Sequence, residues 1–137
     1  MDVQEYVKKN EGLRLKPYLC TAGKWTIGYG HNLENGISEY VAEAILDEDI
    51  RTAIEDVLDI FSNDKDEFQL ILSYNRYTAL VDMMFNLGKS RFLTFKKMIK
   101  AIKKKDWDRA ADELLDSKYA NQVKQRAINN SNLLRKG

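Results

Sequence analysis

Residues 11–31 read EGLRLKPYLCTAGKWTIGYGH, and this stretch decides the fold of the N-terminal part of the chain. It follows a short predicted helix, residues 2–10, and Gly12 is a natural stop for that helix because glycine takes left-handed conformations without strain. Beyond Gly12, apolar and polar residues alternate, which is typical of β-strands. The stretch therefore predicts a helix that leads directly into a β-hairpin.

The turn of the predicted hairpin lies at residues 21–24, where Gly23 can take a positive φ. Directly opposed residues of an antiparallel pair point to the same side of the sheet. Cys20 and Thr26 therefore share a side only if the connecting loop has an odd number of residues. A loop with a bulge at Gly23 would meet that condition.

The rest of the chain has helical periodicity. Apolar residues keep helical spacing behind a good N-cap at Ser38, which predicts a long helix over 38–61. Further helical segments are predicted at 67–88, 89–94, 94–105, 107–116 and 123–135. The sequence thus predicts an α+β, mostly helical protein with one domain, 1–137. Within it we expect a small hairpin-containing lobe at 1–37, a connecting helix at 38–61 and a helical lobe at 62–137.

Composition excludes several classes of protein. A length of 137 residues suits a single domain, and no apolar run approaches the length of a membrane span. The first residues carry no basic start followed by an apolar stretch, so we expect no cleavable secretion signal. A single cysteine excludes an internal disulfide and a multi-cysteine metal site, and a single histidine excludes a His-His metal motif. We therefore expect no metal and no cofactor.

Charge is distributed unevenly along the chain. Residues 39–67 hold eleven acidic and two basic residues, a net charge of −9, whereas residues 89–137 hold fourteen basic and five acidic residues, a net charge of +9. This imbalance indicates an anionic partner for the C-terminal part. A solvated helix face rich in lysine explains it equally well, so both interpretations stay open.

Glu11, Cys20 and Thr26 are the residues whose types and spacing suggest chemistry. Hydrolysis of a sugar linkage needs one group that protonates the leaving oxygen and another that activates water or attacks the anomeric carbon. Glu11 can donate the proton, Cys20 can hold a water or attack as a thiolate, and Thr26 can orient a water. Each residue also has an ordinary alternative, as a solvated carboxylate, a small buried filler and a strand threonine.

Residues 26–31, TIGYGH, together with Glu11 and Cys20, resemble the phage-type lysozymes, the glycoside hydrolase family of the T-even phage lysozyme and of lambdoid phage endolysins. Similar segments follow in the family's order at 77–88, 92–95, 107–111 and 121–127. The resemblance covers nearly the whole chain and implies a lysozyme-like, two-lobe architecture. It implies a muramidase that cleaves the β-1,4 bond between N-acetylmuramic acid and N-acetylglucosamine. Glu11 would be the acid, Cys20 would hold a position occupied by Asp or Cys, and Thr26 would supply the hydroxyl.

The resemblance also assigns roles outside this trio. Three positions are implied to touch the glycan, namely Gly30, Asn32 and Phe85. The resemblance also implies three supporting residues. Arg126 would pair with Glu11, and His31 would be a structural histidine that pairs with Asp49. Two positions depart from the T-even pattern, since Met98 and Glu113 stand where a serine and an asparagine contact sugar.

The role of Cys20 has two alternatives. A water-positioning residue predicts inversion at the anomeric carbon, and a thiolate nucleophile predicts retention. The sequence favours water positioning because the one nearby cation, Lys24, lies in the turn and nothing else beside Cys20 obviously depresses its pKa.

Other functions remain as alternatives. A peptidoglycan-binding protein without activity would also tolerate a cysteine at position 20. The lysines of residues 96–105 suggest a nucleic-acid patch, but the net charge of +1 and the lack of a nucleic-acid motif argue against it. We therefore expect peptidoglycan as the partner, no nucleic acid, no membrane insertion and a monomer. The resemblance implies a phage protein that stays in the host cytoplasm until a holin opens the inner membrane, and that then acts on the wall in the periplasm.

Overall fold

The computed structural model describes residues 2–61 and 72–137, which form an α+β, mostly helical structure as predicted. The chain divides into two compact units, residues 1–45 and 46–137. In chain order the first elements are α1 (Val3–Glu11), β1 (Arg14–Leu19), β2 (Trp25–Gly28), β3 (His31–Asn32), a 3₁₀ helix (Leu33–Asn35) and α2 (Glu39–Phe61). The division between the units falls within α2, which is the long helix predicted over 38–61.

Both ends of α1 are fixed by local hydrogen bonds. At its start, the Asp2 side chain accepts a hydrogen bond from the Glu5 amide at 2.7 Å. At its end, Gly12 has a φ of 73° and donates its amide hydrogen to the Lys8 carbonyl at 2.9 Å. The predicted helix at 2–10 therefore exists and runs to Glu11, because Gly12 is the first residue to leave the helical conformation.

The three strands form one antiparallel sheet in the order β1-β2-β3. In the β1–β2 pair, Tyr18 lies opposite Thr26 but Arg14 lies opposite Gly28, so β1 carries two extra residues between these pairs. Pro17 lies inside this irregularity, on an edge strand, where a residue that cannot donate a backbone hydrogen bond is tolerated.

The second unit contains the helices that follow α2. Their bounds are α3 (Tyr74–Leu87), α4 (Lys89–Phe92), α5 (Lys96–Lys103), α6 (Trp107–Leu115), α7 (Lys118–Val123) and α8 (Gln125–Lys136). The helix predicted at 67–88 begins only at Tyr74, since the Ser73 hydroxyl caps it by accepting from the Arg76 amide at 3.2 Å. Residues 67–71 of that prediction lie outside the described residues. Gly88 ends the helix as predicted.

The helix predicted at 123–135 is confirmed as α8, whereas the short helix before it, α7, was not predicted. Two helices, α7 and α8, occupy residues 118–136, and they meet at Lys124, whose φ and ψ are 44° and −101°. Ser117 starts α7 by accepting a hydrogen bond from the Ala120 amide at 3.1 Å. No glycine or proline marks the break at Lys124, so local composition gave no signal for it.

The hydrophobic core of the second unit lies among α3, α4, α6 and α8. Its most buried large side chains include Leu80, Phe92, Leu114 and Leu134, each with no exposed surface. Arg76 ties three of these helices together. From α3 it donates to the Leu134 carbonyl of α8 at 2.8 Å, and its guanidinium lies 4.3 Å from the centre of the Trp107 ring at the start of α6.

Candidate active site

The turn between β1 and β2 has the odd loop length that the site requires. Cys20 donates its amide hydrogen to the Lys24 carbonyl at 2.9 Å, and Gly23, with a φ of 75°, donates to the Cys20 carbonyl at 2.9 Å. Cys20 therefore faces Lys24 across the three residues 21–23. Because Thr26 lies two residues beyond Lys24, Cys20 and Thr26 point to the same side of the sheet, as predicted from parity.

Thr26 is buried, and its hydroxyl is oriented by the turn. Its exposed fraction is 4%, and Oγ1 donates to the Lys24 carbonyl at 2.9 Å. A hydroxyl has one proton to donate and two lone pairs that accept. While its proton is on the Lys24 carbonyl, Thr26 offers its lone pairs to a water or a thiol, and it can turn that proton to Cys20 when the thiol ionises.

Cys20 is a half-buried free thiol with several hydrogen-bond donors around its sulfur. The pKa of the Cys20 thiol is lowered below its ordinary value by hydrogen bonds, most by the one from the backbone amide of Lys24 and less by the one from Ala22. The Thr26 hydroxyl also lowers it, and burial opposes the shift. These donors stabilise the thiolate because they hydrogen-bond to the charged form. The prediction that nothing beside Cys20 depresses its pKa is therefore wrong.

Glu11 reaches the sheet from the end of α1. A Cβ placed on Gly30 would lie 2.5 Å from Glu11 Oε2 and 2.8 Å from its Cδ, so the carboxylate rests directly against the Gly30 α carbon. Gly30 belongs to the turn that joins β2 to β3, and β2 carries Thr26. The first unit thus brings the carboxyl of Glu11 to the sheet that also carries Cys20 and Thr26.

A set of contacts around the 3₁₀ helix supports this hairpin and was not predicted. Lys24 Nζ lies 3.2 Å from Glu34 Oε2, which connects the turn to the 3₁₀ helix. Asn32 Oδ1 accepts a hydrogen bond from the Glu34 amide at 3.0 Å. His31 Nε2 donates to the Gly36 carbonyl at 2.8 Å, which requires the Nε2-protonated tautomer or the imidazolium. No short-range sequence signal indicates the Lys24–Glu34 pair, because it joins residues ten positions apart.

Comparison with known proteins identifies the family of this chain. Residues 8–134 match the phage lysozyme family. The chain belongs to the phage lysozyme family. It is therefore a glycoside hydrolase of the lysozyme type that acts on the peptidoglycan of the cell wall.

Curated relatives agree with this assignment. The chain is 36% identical over 115 residues to an endolysin of Acyrthosiphon pisum secondary endosymbiont phage 1, covering 80% of this chain and 72% of that protein. It is 28% identical over 152 residues to the probable T4-type lysozyme 2 of Dictyostelium discoideum, covering 91% of this chain and 88% of that protein. It is 30% identical over 118 residues to the endolysin of Salmonella phage P22, covering 80% and 75%.

In the second unit of this phage lysozyme, Arg126 is held by Asp82. Arg126 donates from Nε to Asp82 Oδ2 at 2.8 Å and from Nη2 to Oδ1 at 2.7 Å, and the buried Asn130 donates to Oδ2 at 2.9 Å. The bonds from Arg126 first, and that from Asn130 second, lower the pKa of Asp82. Arg126 was expected to pair with Glu11, and Asp82 had no predicted role. The Glu11 pairing stays a prediction.

The remaining predicted residues occupy separate places. Phe85 lies on α3 with 42% of its surface exposed, and Asp49 is exposed on α2. Met98 and Glu113 line a cavity of about 600 Å³ within the second unit, beside the buried Tyr119. The pairing of His31 with Asp49 stays a prediction.

Within residues 2–61 and 72–137, no group of three or more His, Cys, Asp or Glu side chains is placed to hold a metal ion. No helix in that same part of the chain is long and apolar enough to cross a membrane.

Asp82→Asn is expected to lower the free energy of unfolding at about pH 7 by about 1 kcal/mol, a value discounted for the exposure of the pair. Because the pKa of Asp82 is lower in the folded than in the unfolded protein, its contribution is present above the unfolded value and is lost as pH falls through the folded value. The difference between wild type and variant should therefore shrink as the pH falls below the unfolded value and vanish below the folded value. Urea unfolding over a series of pH values from about pH 7 downward measures it.

Asp108→Asn is the control for this experiment. Asp108 also pairs with an arginine, Arg135, but 77% of its side chain is exposed, so its loss should cost only a few tenths of a kcal/mol. An equal effect of the two variants at neutral pH would contradict a special role for Asp82.

Alkylation of Cys20 by iodoacetamide is expected to show a pH midpoint below that of an ordinary thiol. Cys20 is the one cysteine, so the reaction reports on a single site. Thr26→Val should move the midpoint upward without restoring the ordinary value, since the amides of Lys24 and Ala22 remain. Thr21→Val, in the same turn, should leave it unchanged. A wild-type midpoint at the ordinary thiol value would show that these donors do not act on Cys20.

Proposed function

We propose that this phage lysozyme is an endolysin that hydrolyses the β-1,4 bond between N-acetylmuramic acid and N-acetylglucosamine, with Glu11 as the general acid. The observation that carries the proposal is the grouping of Glu11, Cys20 and Thr26 around one three-stranded sheet, with Cys20 and Thr26 on the same side. The endolysin names of the relatives in two phages support the biological role.

The reaction can be written with these three residues. Glu11 gives its proton to the glycosidic oxygen as the bond to the anomeric carbon breaks. A water held by the Thr26 lone pairs adds to that carbon, and the Cys20 thiolate takes the proton that the water loses. At the end Glu11 is a carboxylate and Cys20 a thiol, and exchange with solvent restores both. Water attack from the opposite face gives inversion.

The lowered pKa of Cys20 supports this assignment. A general base works best when its pKa lies near the operating pH, and an ordinary thiol lies above that range. The amide donors of the turn shift Cys20 in the required direction. The same shift also favours a thiolate nucleophile, so the stereochemistry of the product decides between the two.

Glycan binding is assigned to Gly30, Asn32 and Phe85, and support to Arg126, His31 and Asp49. These assignments rest on the family to which the chain belongs. We further propose that the protein is a monomer and that it remains in the host cytoplasm until a holin opens the inner membrane, so that it then reaches the wall in the periplasm and lyses the host.

The basic surface of the second unit supports approach to an anionic cell envelope. Helix α5 buries Met98, Ile99 and Ile102 and turns its lysines outward. The exposed lysines of this helix and of the turn after it are Lys96, Lys97, Lys100, Lys103, Lys104 and Lys105. A field of this sign raises the rate of encounter with a negatively charged surface.

Glu11→Gln is expected to lower the release of reducing ends from purified sacculi by at least about 10²-fold, because an amide cannot donate the proton that general acid catalysis requires. Glu5→Gln, an exposed change in the first turn of the same helix, should leave the rate unchanged. Full activity in Glu11→Gln would remove Glu11 from the mechanism. Binding of wild-type protein to sacculi without release of reducing ends would instead favour a binding protein.

The first product of wild-type hydrolysis is expected to be the α anomer, formed by inversion of the β linkage. Cys20→Asp should give the same anomer, since a carboxylate can position water in the same place. Nuclear magnetic resonance of the fresh product distinguishes the two anomers. A β product from the wild type and an α product from Cys20→Asp would identify Cys20 as a nucleophile.

A further inference from the structure

Gly30 differs from the other glycines of the first unit in what surrounds it. Gly12, Gly23, Gly28 and Gly36 all have a positive φ, and a Cβ placed on any of them would meet no atom within 4 Å. Their backbone conformation alone explains glycine there. Gly30 also has a positive φ, 74°, but the space beside its α carbon is filled by the end of the Glu11 side chain.

A Cβ on Gly30 and the carboxyl of Glu11 cannot both occupy their present places. A Cβ on Gly30 would lie 2.5 Å from Oε2, 2.8 Å from Cδ and 3.3 Å from Cγ of Glu11, and real Cβ atoms essentially never approach within 3.0 Å. An alanine at this position would therefore force the carboxyl of Glu11 to move. Because Gly30 has no side chain, the carboxyl of Glu11 can occupy the space beside its α carbon.

The contact with Gly30 matters for Glu11 because the Glu11 side chain is otherwise exposed to solvent. It is the last residue of α1, it is exposed, and only Gly12 and Leu13 separate it from β1. A glutamate has three rotatable bonds, so an exposed one is not confined by its own backbone. Gly30 lies in the turn after β2, so contact with it places the carboxyl relative to the strand that carries Thr26.

We propose that Gly30 is a positioning residue whose bare α carbon fixes the carboxyl of Glu11 relative to the strand that carries Thr26. The proposal rests on the proposed function, in which Glu11 is the general acid. For Gly30 this role replaces the glycan contact that membership of the family suggests, because the effect on the reaction passes through Glu11.

Gly30→Ala and Gly28→Ala form a matched pair that isolates this role. The two positions have positive φ values of 74° and 70°, so an alanine is strained at either one, but only at position 30 does it collide with Glu11. Gly30→Ala is expected to lower kcat by about 10²-fold relative to Gly28→Ala with KM nearly unchanged, since misplacing a catalytic group by about 1 Å costs that much. Equal kcat values for the two variants would overturn the proposal.

Binding to sacculi in the Glu11→Gln background separates positioning from contact with the glycan. If Gly30 acts through Glu11, then Gly30→Ala and Gly28→Ala should bind alike when added to Glu11→Gln. Weaker binding of the Gly30→Ala double variant alone would assign Gly30 to the glycan and reject the positioning role.

These variants also distinguish a failure to fold, a failure of the positioning role and a failure of the proposed function. Should Gly30→Ala fail to fold while Gly28→Ala folds, Glu11→Ala should restore folding in the double variant by removing the atoms that collide. A double variant that stays unfolded when Gly28→Ala folds would reject the contact. If Gly30→Ala equals Gly28→Ala while Glu11→Gln is inactive, the positioning role fails and the proposed function stands. If Glu11→Gln is fully active, the proposed function itself fails.

Discussion

The carbonyl oxygen of Lys24 is the point on which the candidate site depends. It accepts one hydrogen bond from the Cys20 amide and another from the Thr26 hydroxyl, each at 2.9 Å. The first bond closes the loop at three residues, and the second directs the lone pairs of Thr26 away from the turn. A loop of even length would turn Cys20 to the opposite face of the sheet from Thr26, since a shift of one residue reverses the side of every side chain. The positive φ of Gly23 makes the odd loop possible.

Local signals predicted most of the secondary structure. Glycine at 12 and 88 ended helices, Ser38 preceded a helix with regular apolar spacing, and alternation predicted the strands. The break at Lys124 could not be predicted in this way, because a lysine carries no preference for a positive φ. It is sustained by the structure around it, where Ser117 caps α7 and Lys124 donates to the Ala120 carbonyl.

The candidate site was predictable in its residues but only partly in its contacts. Spacing and resemblance selected Glu11, Cys20 and Thr26, and a parity argument stated the condition under which two of them meet. The bond between Arg126 and Asp82 joins residues 44 positions apart, and the pair Lys24–Glu34 depends on where the 3₁₀ helix places its side chains. Neither follows from local periodicity, because each is a product of tertiary packing. The shift in the pKa of Cys20 was missed for a related reason. Its main donors are backbone amides, which every residue possesses and which only the folded turn aims at the sulfur.

The first unit holds Glu11, Cys20 and Thr26 by directional hydrogen bonds and close backbone contacts more than by burial. Among residues 2–45, Thr26 is the one residue that is buried. Apolar packing is nondirectional and tolerates small shifts, whereas a hydrogen bond weakens steeply once its geometry is lost. A site built on turns is therefore sensitive to changes of a single backbone position. The two glycines that matter most to it act differently: Gly23 supplies a conformation that sets which side Cys20 faces, and Gly30 supplies both a conformation and the empty space that Glu11 fills. A substitution at Gly23 would alter the relation of Cys20 to Thr26, and one at Gly30 would displace Glu11, so Glu11 and the Cys20–Thr26 pair are placed by separate turns of one sheet.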